Sequence, residues 1–221
     1  MNLWAALQAE FKTQGVTLIA VSKKKPLEDI QQLYDAGQRD FGENYVQELA
    51  EKAPLLPVDI RWHFIGHLQS NKVKYIAPFV HCIHTLDSFS LLQTVQKEGA
   101  KNNRVLDILL QLHVAEEEEK FGLDEKGVLE LLEYYEAQKD SFPNVRICGI
   151  MAMASFTEDA AQLAGEFRRA KALFENLKQT NFMARPYFNT LSMGMSGDYE
   201  LAIVEGSTAV RIGSLIFGER T

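Results

Sequence analysis

Cysteine is nearly missing from this chain. Its 221 residues hold two, Cys82 and Cys148. They show no metal-ligand spacing and form no disulfide framework. Two buried thiols in a reducing compartment are the expectation. Long apolar runs are missing as well, since nothing approaches the roughly 20 residues of a membrane helix. The opening MNLWAALQAEFK lacks the basic start and cleavage site of a secretory signal. A cytoplasmic protein without membrane contact is expected. Basic excess is also lacking: 23 Lys and Arg stand against 30 Asp and Glu, a net charge of −7 and a pI near 5.3. No large basic field is available for nucleic acid or an anionic membrane. One small anion site remains compatible with that balance. Low-complexity tracts, internal repeats and linker-like stretches are absent too, which argues against disorder and against a domain boundary.

What is present is an ordinary globular composition, 46% hydrophobic and 24% charged. The apolar pattern alternates between two periods. Short apolar runs, typical of strands buried on both faces, occur at 17–22, 39–44, 61–68, 80–87, 105–114, 145–154, 187–194 and 209–218. Between them lie helical stripes, among them Leu27, Ile30, Leu33 and Tyr34, and Leu163, Phe167, Ala170, Phe174 and Leu177. Ser70 and Ser88 stand where they can open helices. Strict alternation implies a parallel sheet. Eight units in one domain spanning 1–221 favour a closed (β/α)8 TIM barrel over an open doubly wound sheet. The last strand lacks a following helix, and a helix near Leu3–Gln14 is placed to cover that gap.

In such a barrel the chemistry gathers at the C-terminal ends of the strands. Those ends read Ser22-Lys23, Glu43-Asn44, Gly66-His67, Asp87-Ser88, His113, Met153-Ala154, Ser192-Met193-Gly194 and Arg211-Ile212-Gly213-Ser214, whereas the strand bodies read as almost free of polar residues. Lys23 shares a strand face with Ile19 and Val21. Desolvation and neighbouring cations would lower its pKa and expose a nucleophilic amine suited to Schiff-base chemistry. The local alternative is a solvated basic turn, Lys23-Lys24-Lys25, before Pro26. SMGMSGD (192–198) and RIGS (211–214) resemble the phosphate loops that follow strands seven and eight of many barrels, with Arg211 as a fixed donor; the alternative is a pair of tight turns. His63 and His67 lie four apart on one strand, roughly 13 Å by strand rise, too far to share one ion. His81, His84 and His113 read as core or rim histidines. Glu116–Glu119 reads as a solvated acidic loop without calcium-ligand spacing. No metal site is expected.

LIAVSKKKP, FGENYVQE, WHFIGHLQSNK, HTLDS and LSMGMSGDYELAIVEGSTAVRIGSLIFGER, in that order, resemble the YggS/PROSC family of pyridoxal phosphate homeostasis proteins over about Thr17 to Arg220. The resemblance implies the alanine racemase N-terminal-domain barrel of fold-type III pyridoxal phosphate (PLP) proteins. It implies that Lys23 carries PLP as an internal aldimine and that Arg211 faces the pyridine nitrogen. It places Ser192, Gly213 and Ser214 in the phosphate loops, and Asn44 beside the ring. Lys24 and Ser155 depart from the family, where many members have a smaller polar residue and a proline. An arginine at the ring nitrogen disfavours its protonation and so weakens the electron sink that amino-acid chemistry needs. With all 221 residues used by the barrel, the further domain that completes a racemase site is not expected. The implied function is a cytoplasmic, monomeric, non-catalytic PLP carrier, with PLP-requiring apoenzymes as candidate recipients. The alternatives are a PLP-dependent racemase or lyase, and a cofactor-free aldolase using Lys23.

Overall fold

The computed structural model describes residues 3–115 and 121–218. Helix α1 (Leu3–Gln14) comes first. Strands and helices then alternate: β1 (Thr17–Val21), α2 (Leu27–Asp35), β2 (Asp40–Glu43), α3 (Val46–Lys52), β3 (Arg61–Phe64), α4 (Val73–Ile76), β4 (Cys82–Leu86), α5 (Phe89–Lys101), β5 (Leu106–His113), α6 (Glu125–Ala137), β6 (Val145–Met153), α7 (Ala160–Gln179), β7 (Thr190–Met195), α8 (Tyr199–Val204), β8 (Ala209–Ile212) and α9 (Ser214–Phe217). Each strand pairs in parallel with the next, and β8 returns to β1 through Thr17↔Ala209 to Ala20↔Ile212. The fold is a closed (β/α)8 TIM barrel. The run 116–119 lies outside the described residues.

The eighth strand ends earlier than its apolar run. The pattern predicts strand to residue 218, but pairing stops at Ile212 and Ser214–Phe217 coils into one helical turn. Hydrophobicity alone cannot separate the two states in so short a run. Likewise Ser70 opens a tight 3-10 turn, Ser70–Lys72, that leads into the single turn of α4. Elsewhere the caps act as their residue types dictate. Ser88 accepts the Leu91 N–H at 3.3 Å, Asp124 that of Gly127 at 2.7 Å, and Asp159 that of Ala161 at 2.9 Å. The α7 stripe Leu163, Phe167, Ala170, Phe174 and Leu177 is buried against the barrel. Phe188, ahead of β7, stacks on Phe182 at 4.0 Å and on Phe174 at 5.1 Å, and truncating such a ring typically costs about 3–5 kcal/mol. Helix α1 packs Phe11 edge-on against Tyr199 at 5.6 Å and its Trp4 indole donates to Gln38, so it sits between α8 and the start of β2.

Strand bodies are more polar than the sequence pattern suggests. His63, His84, Gln111, Ser192 and Arg211 are all buried within them. Side-chain alternation turns these toward the barrel axis, where His63 meets His84 and Ser192 meets Arg211 across adjacent strands.

Candidate functional site

Lys23 follows β1 in a turn at the C-terminal mouth and is half-buried. The register Val21↔Gly42, extended two residues, sets it beside Asn44. It shares a small cavity with Val21, Lys25, Gly213 and Ser214. The segment that carries it is clamped on both sides. Lys52 of α3 donates to the Ser22 carbonyl at 2.9 Å, to Glu43 Oε1 at 2.9 Å and to Glu48 Oε1 at 2.6 Å. Glu48 accepts the Lys24 N–H at 2.5 Å, and the Ser22 hydroxyl donates to Glu43 at 2.7 Å. Burial pushes the Glu43 carboxyl upward, and Lys52 only partly offsets it. Lys24 adopts a left-handed φ of +60° inside this clamp. Lys25 donates to the Phe217 carbonyl at 2.9 Å. The basic triplet is therefore a tethered turn with three different fates.

Arg211 lies one inward-facing position below Gly213 and is buried. Its guanidinium donates to the Ser192 carbonyl at 2.8 Å, the Ser192 hydroxyl at 2.7 Å and the Ala152 carbonyl at 3.0 Å. Burial lowers its pKa to about 10, so it stays charged at neutral pH. Ser192, expected in a phosphate loop, accepts from Arg211 in this structure. It is fully buried on β7 under Arg211, and it is the Ser196 hydroxyl that accepts the Gly213 N–H at 3.3 Å. Ser196 was legible in SMGMSGD, but only the fold shows which serine reaches the mouth.

Two glycines shape this end. Gly194 has φ +90°, and a Cβ there would lie 2.6 Å from that of Ala202, so the loop can fold back onto α8 only with glycine. A Cβ on Gly66 would lie 2.1 Å from the Asn44 carbonyl oxygen, so β3 pins Asn44 from the side. The Asn44 Oδ1 is buried and has no hydrogen-bond partner among the described residues. Ser155 shows what its departure from proline achieves. Its N–H and hydroxyl both donate to the buried Glu166, each at 2.6 Å, and proline has no N–H to give.

The opposite, N-terminal end holds a larger cavity of about 590 Å³. Its charges are paired. Arg61 forks onto Asp40, with Nε to Oδ1 at 2.7 Å, and Arg146 forks onto Asp107 at 2.6 and 2.7 Å. His63 Nε2 meets Asp40 Oδ1 at 3.0 Å, and His63 Nδ1 meets His84 Nε2 at 2.9 Å. Burial would raise Asp40, but hydrogen bonds from Arg61 and His63 more than offset it and hold the carboxyl well below the usual range. Burial, reinforced by His63 and Arg211, keeps His84 neutral. Both cysteines are free and buried; burial pushes Cys82 up, and raises Cys148 to about 12.

The sequence pattern of the family described as "Alanine racemase, N-terminal domain" matches residues 3–221. The pyridoxal phosphate homeostasis protein of Aquifex aeolicus is 42% identical over 204 residues, which is 92% of this chain and 86% of that one. The structure of PipY from Synechococcus elongatus without PLP has 34% identity and a TM-score of 0.87, covering 98% of both chains. The same protein with PLP bound gives a TM-score of 0.80 over 96% of this chain and 98% of that one. Alanine racemase from Streptomyces coelicolor shares the fold alone, with 16% identity and a TM-score of 0.69 over 100% of this chain and 59% of that one. No helix among the described residues is long and apolar enough to cross a membrane.

Proposed function

This chain belongs to the alanine racemase N-terminal domain family, among the pyridoxal phosphate homeostasis proteins, and from that premise we propose that it binds PLP at Lys23 and takes part in PLP homeostasis without robust catalysis. The observation that carries this reading is the convergence of Lys23, Gly213 and Ser214 on one small cavity, directly above the buried cation Arg211. The residues fit the cofactor. Lys23 offers an amine that condenses with the PLP aldehyde and releases water. Gly213, Ser214 and Ser196 offer backbone and hydroxyl donors for the phosphate. Asn44, just after β2, holds a buried acceptor with no hydrogen-bond partner among the described residues.

Bound PLP supplies an electrophilic aldehyde and an electron-withdrawing ring. Arg211 limits how far that ring can act. It is charged at neutral pH and held by three hydrogen bonds, so it opposes a second positive charge on a neighbouring ring nitrogen. The Ser22–Glu43–Lys52–Glu48 clamp fixes the backbone on both sides of Lys23. That rigidity suits holding a ligand more than the lysine excursions of proton transfer. PLP-requiring apoenzymes are the recipients this reading favours, and a cytoplasmic monomer is the form in which it would act.

The test is direct. The purified chain should be yellow after incubation with PLP, and borohydride should fix the chromophore to the peptide containing Lys23. Lys23→Ala should lose the covalent adduct. An adduct retained in Lys23→Ala would overturn the assignment, and turnover of common amino acids at many cycles per second would overturn the non-catalytic reading.

A further inference from the structure

We propose that the N-terminal end of the barrel holds a binding site for a borderline divalent cation such as Zn²⁺, with His63, Cys82 and His84 as its three protein ligands. The sheet register builds the site. His63 on β3 pairs with Cys82 on β4, and His84 is two residues further along β4, so all three side chains face the axis from adjacent strands. One donor atom from each lies within 4.8 Å of the others, and all three residues are buried. A tetrahedral ion with two nitrogens and one sulfur needs ligand separations of about 3.3–3.6 Å. The 2.9 Å between His63 Nδ1 and His84 Nε2 opens to that value with a sub-ångström shift.

The protons are already arranged for it. The Asp40 carboxylate accepts from His63 Nε2, which turns Nδ1 toward His84. This carboxylate–imidazole arrangement is the support that metal-bound histidines commonly have. His84 must then hold its proton on Nε2 to bond His63, and its buried Nδ1 has no partner among the described residues. When an ion takes the place of the His63–His84 hydrogen bond, the His84 proton moves to Nδ1 and no other bond is lost. At Cys82 the S–H bond breaks, the sulfur–metal bond forms, and the proton leaves to solvent through the cavity. The remaining coordination position faces that cavity and is open to water. The thiolate offsets part of the ion's charge against Arg211, which acts on His84 from the far side.

Cobalt(II) tests this, because a tetrahedral thiolate site gives intense visible d–d bands and a near-ultraviolet sulfur-to-metal band. Titration of the purified chain should saturate at one ion, and Zn²⁺ should displace it. The sulfur band should vanish in Cys82→Ser, and the tetrahedral spectrum should collapse in His84→Gln. Asp40→Asn should weaken binding about 10–100-fold. Cys148→Ser and Lys23→Ala should bind as the parent does, which separates this site from the mouth. A near-ultraviolet circular dichroism spectrum like the parent's shows that a variant has folded, and the parent titration stands without any variant. No tetrahedral bands in the parent, or a sulfur band that survives Cys82→Ser, would overturn the proposal.

Discussion

The floor of the barrel contains Asp40 with Arg61 and Asp107 with Arg146, each pair joined by two hydrogen bonds. The mouth contains Lys23 beside glycine turns, an Asn44 oxygen without a partner among the described residues, and a clamp on the backbone either side of the lysine. The floor cavity is the larger of the two, yet its charged groups already satisfy one another. The mouth cavity is small, yet Lys23, Gly213 and Ser214 converge on it from two strand ends. Cavity size and readiness for a ligand are therefore separate properties. Paired charge steadies the floor around His63, Cys82 and His84, whereas the mouth gathers its groups from the turns after β1 and β8.

Substitutions should split along the same line. The largest stability effect is expected from Asp40→Ala, which strands Arg61 and His63 together. Arg61 is about half in solvent, so the loss should be about 3 kcal/mol rather than the upper range for a buried pair. Urea unfolding measures it, and PLP uptake at the mouth should persist. Acid is the next lever. His84 has its folded-state pKa pushed below the unfolded value near 6.5. Its contribution is full above about pH 6.5 and is lost as pH falls toward the folded value, by about 1.4 kcal/mol per unit. Asp40, also depressed, adds a second loss only below about pH 4. Stability followed against pH should show two phases; because burial also lowers His81, to about 4, His84→Gln should shrink the upper one and leave the His81 part. Arg146→Met should cost only about 1 kcal/mol, because that guanidinium is nearly half exposed at the cavity rim. Lys23→Ala should cost least, within about 0.5 kcal/mol, while abolishing the covalent adduct. A mouth variant that unfolds the protein, or a floor variant that bleaches it, would break the contrast.

The eight strands were legible because each is a short apolar run between turn signals. Lys23 was legible because it ends such a run. The floor was not. Asp40, Arg61, Asp107 and Arg146 stand at strand starts, where charge reads as a solvated flank. The sequence comparison set His63 against His67, on the same strand, and excluded a shared ion by distance. The true neighbour is His84 on the next strand, and adjacency between strands depends on register, which no single run displays. Ser192 and Ser196 are four residues apart in one motif. Only strand alternation and the Gly194 turn separate the serine that holds Arg211 from the serine that meets Gly213. Glu43 was read at a strand end, but its pairing with Lys52 escaped notice because it joins a strand to the following helix.

The β1–β8 seam has a consequence for the order in which the molecule is made. It joins Thr17 to Ala209 and Ala20 to Ile212, and Lys25 reaches across it to the Phe217 carbonyl. These contacts span almost the whole chain, the kind of closure that slows folding most. During synthesis Lys23 leaves the ribosome long before Gly213 and Ser214. The two halves of the mouth cannot meet until β8 has found β1. On the proposed reading, capture of PLP would be a chemical signal of ring closure, and the lag between backbone collapse and the appearance of yellow colour would time the final step of folding.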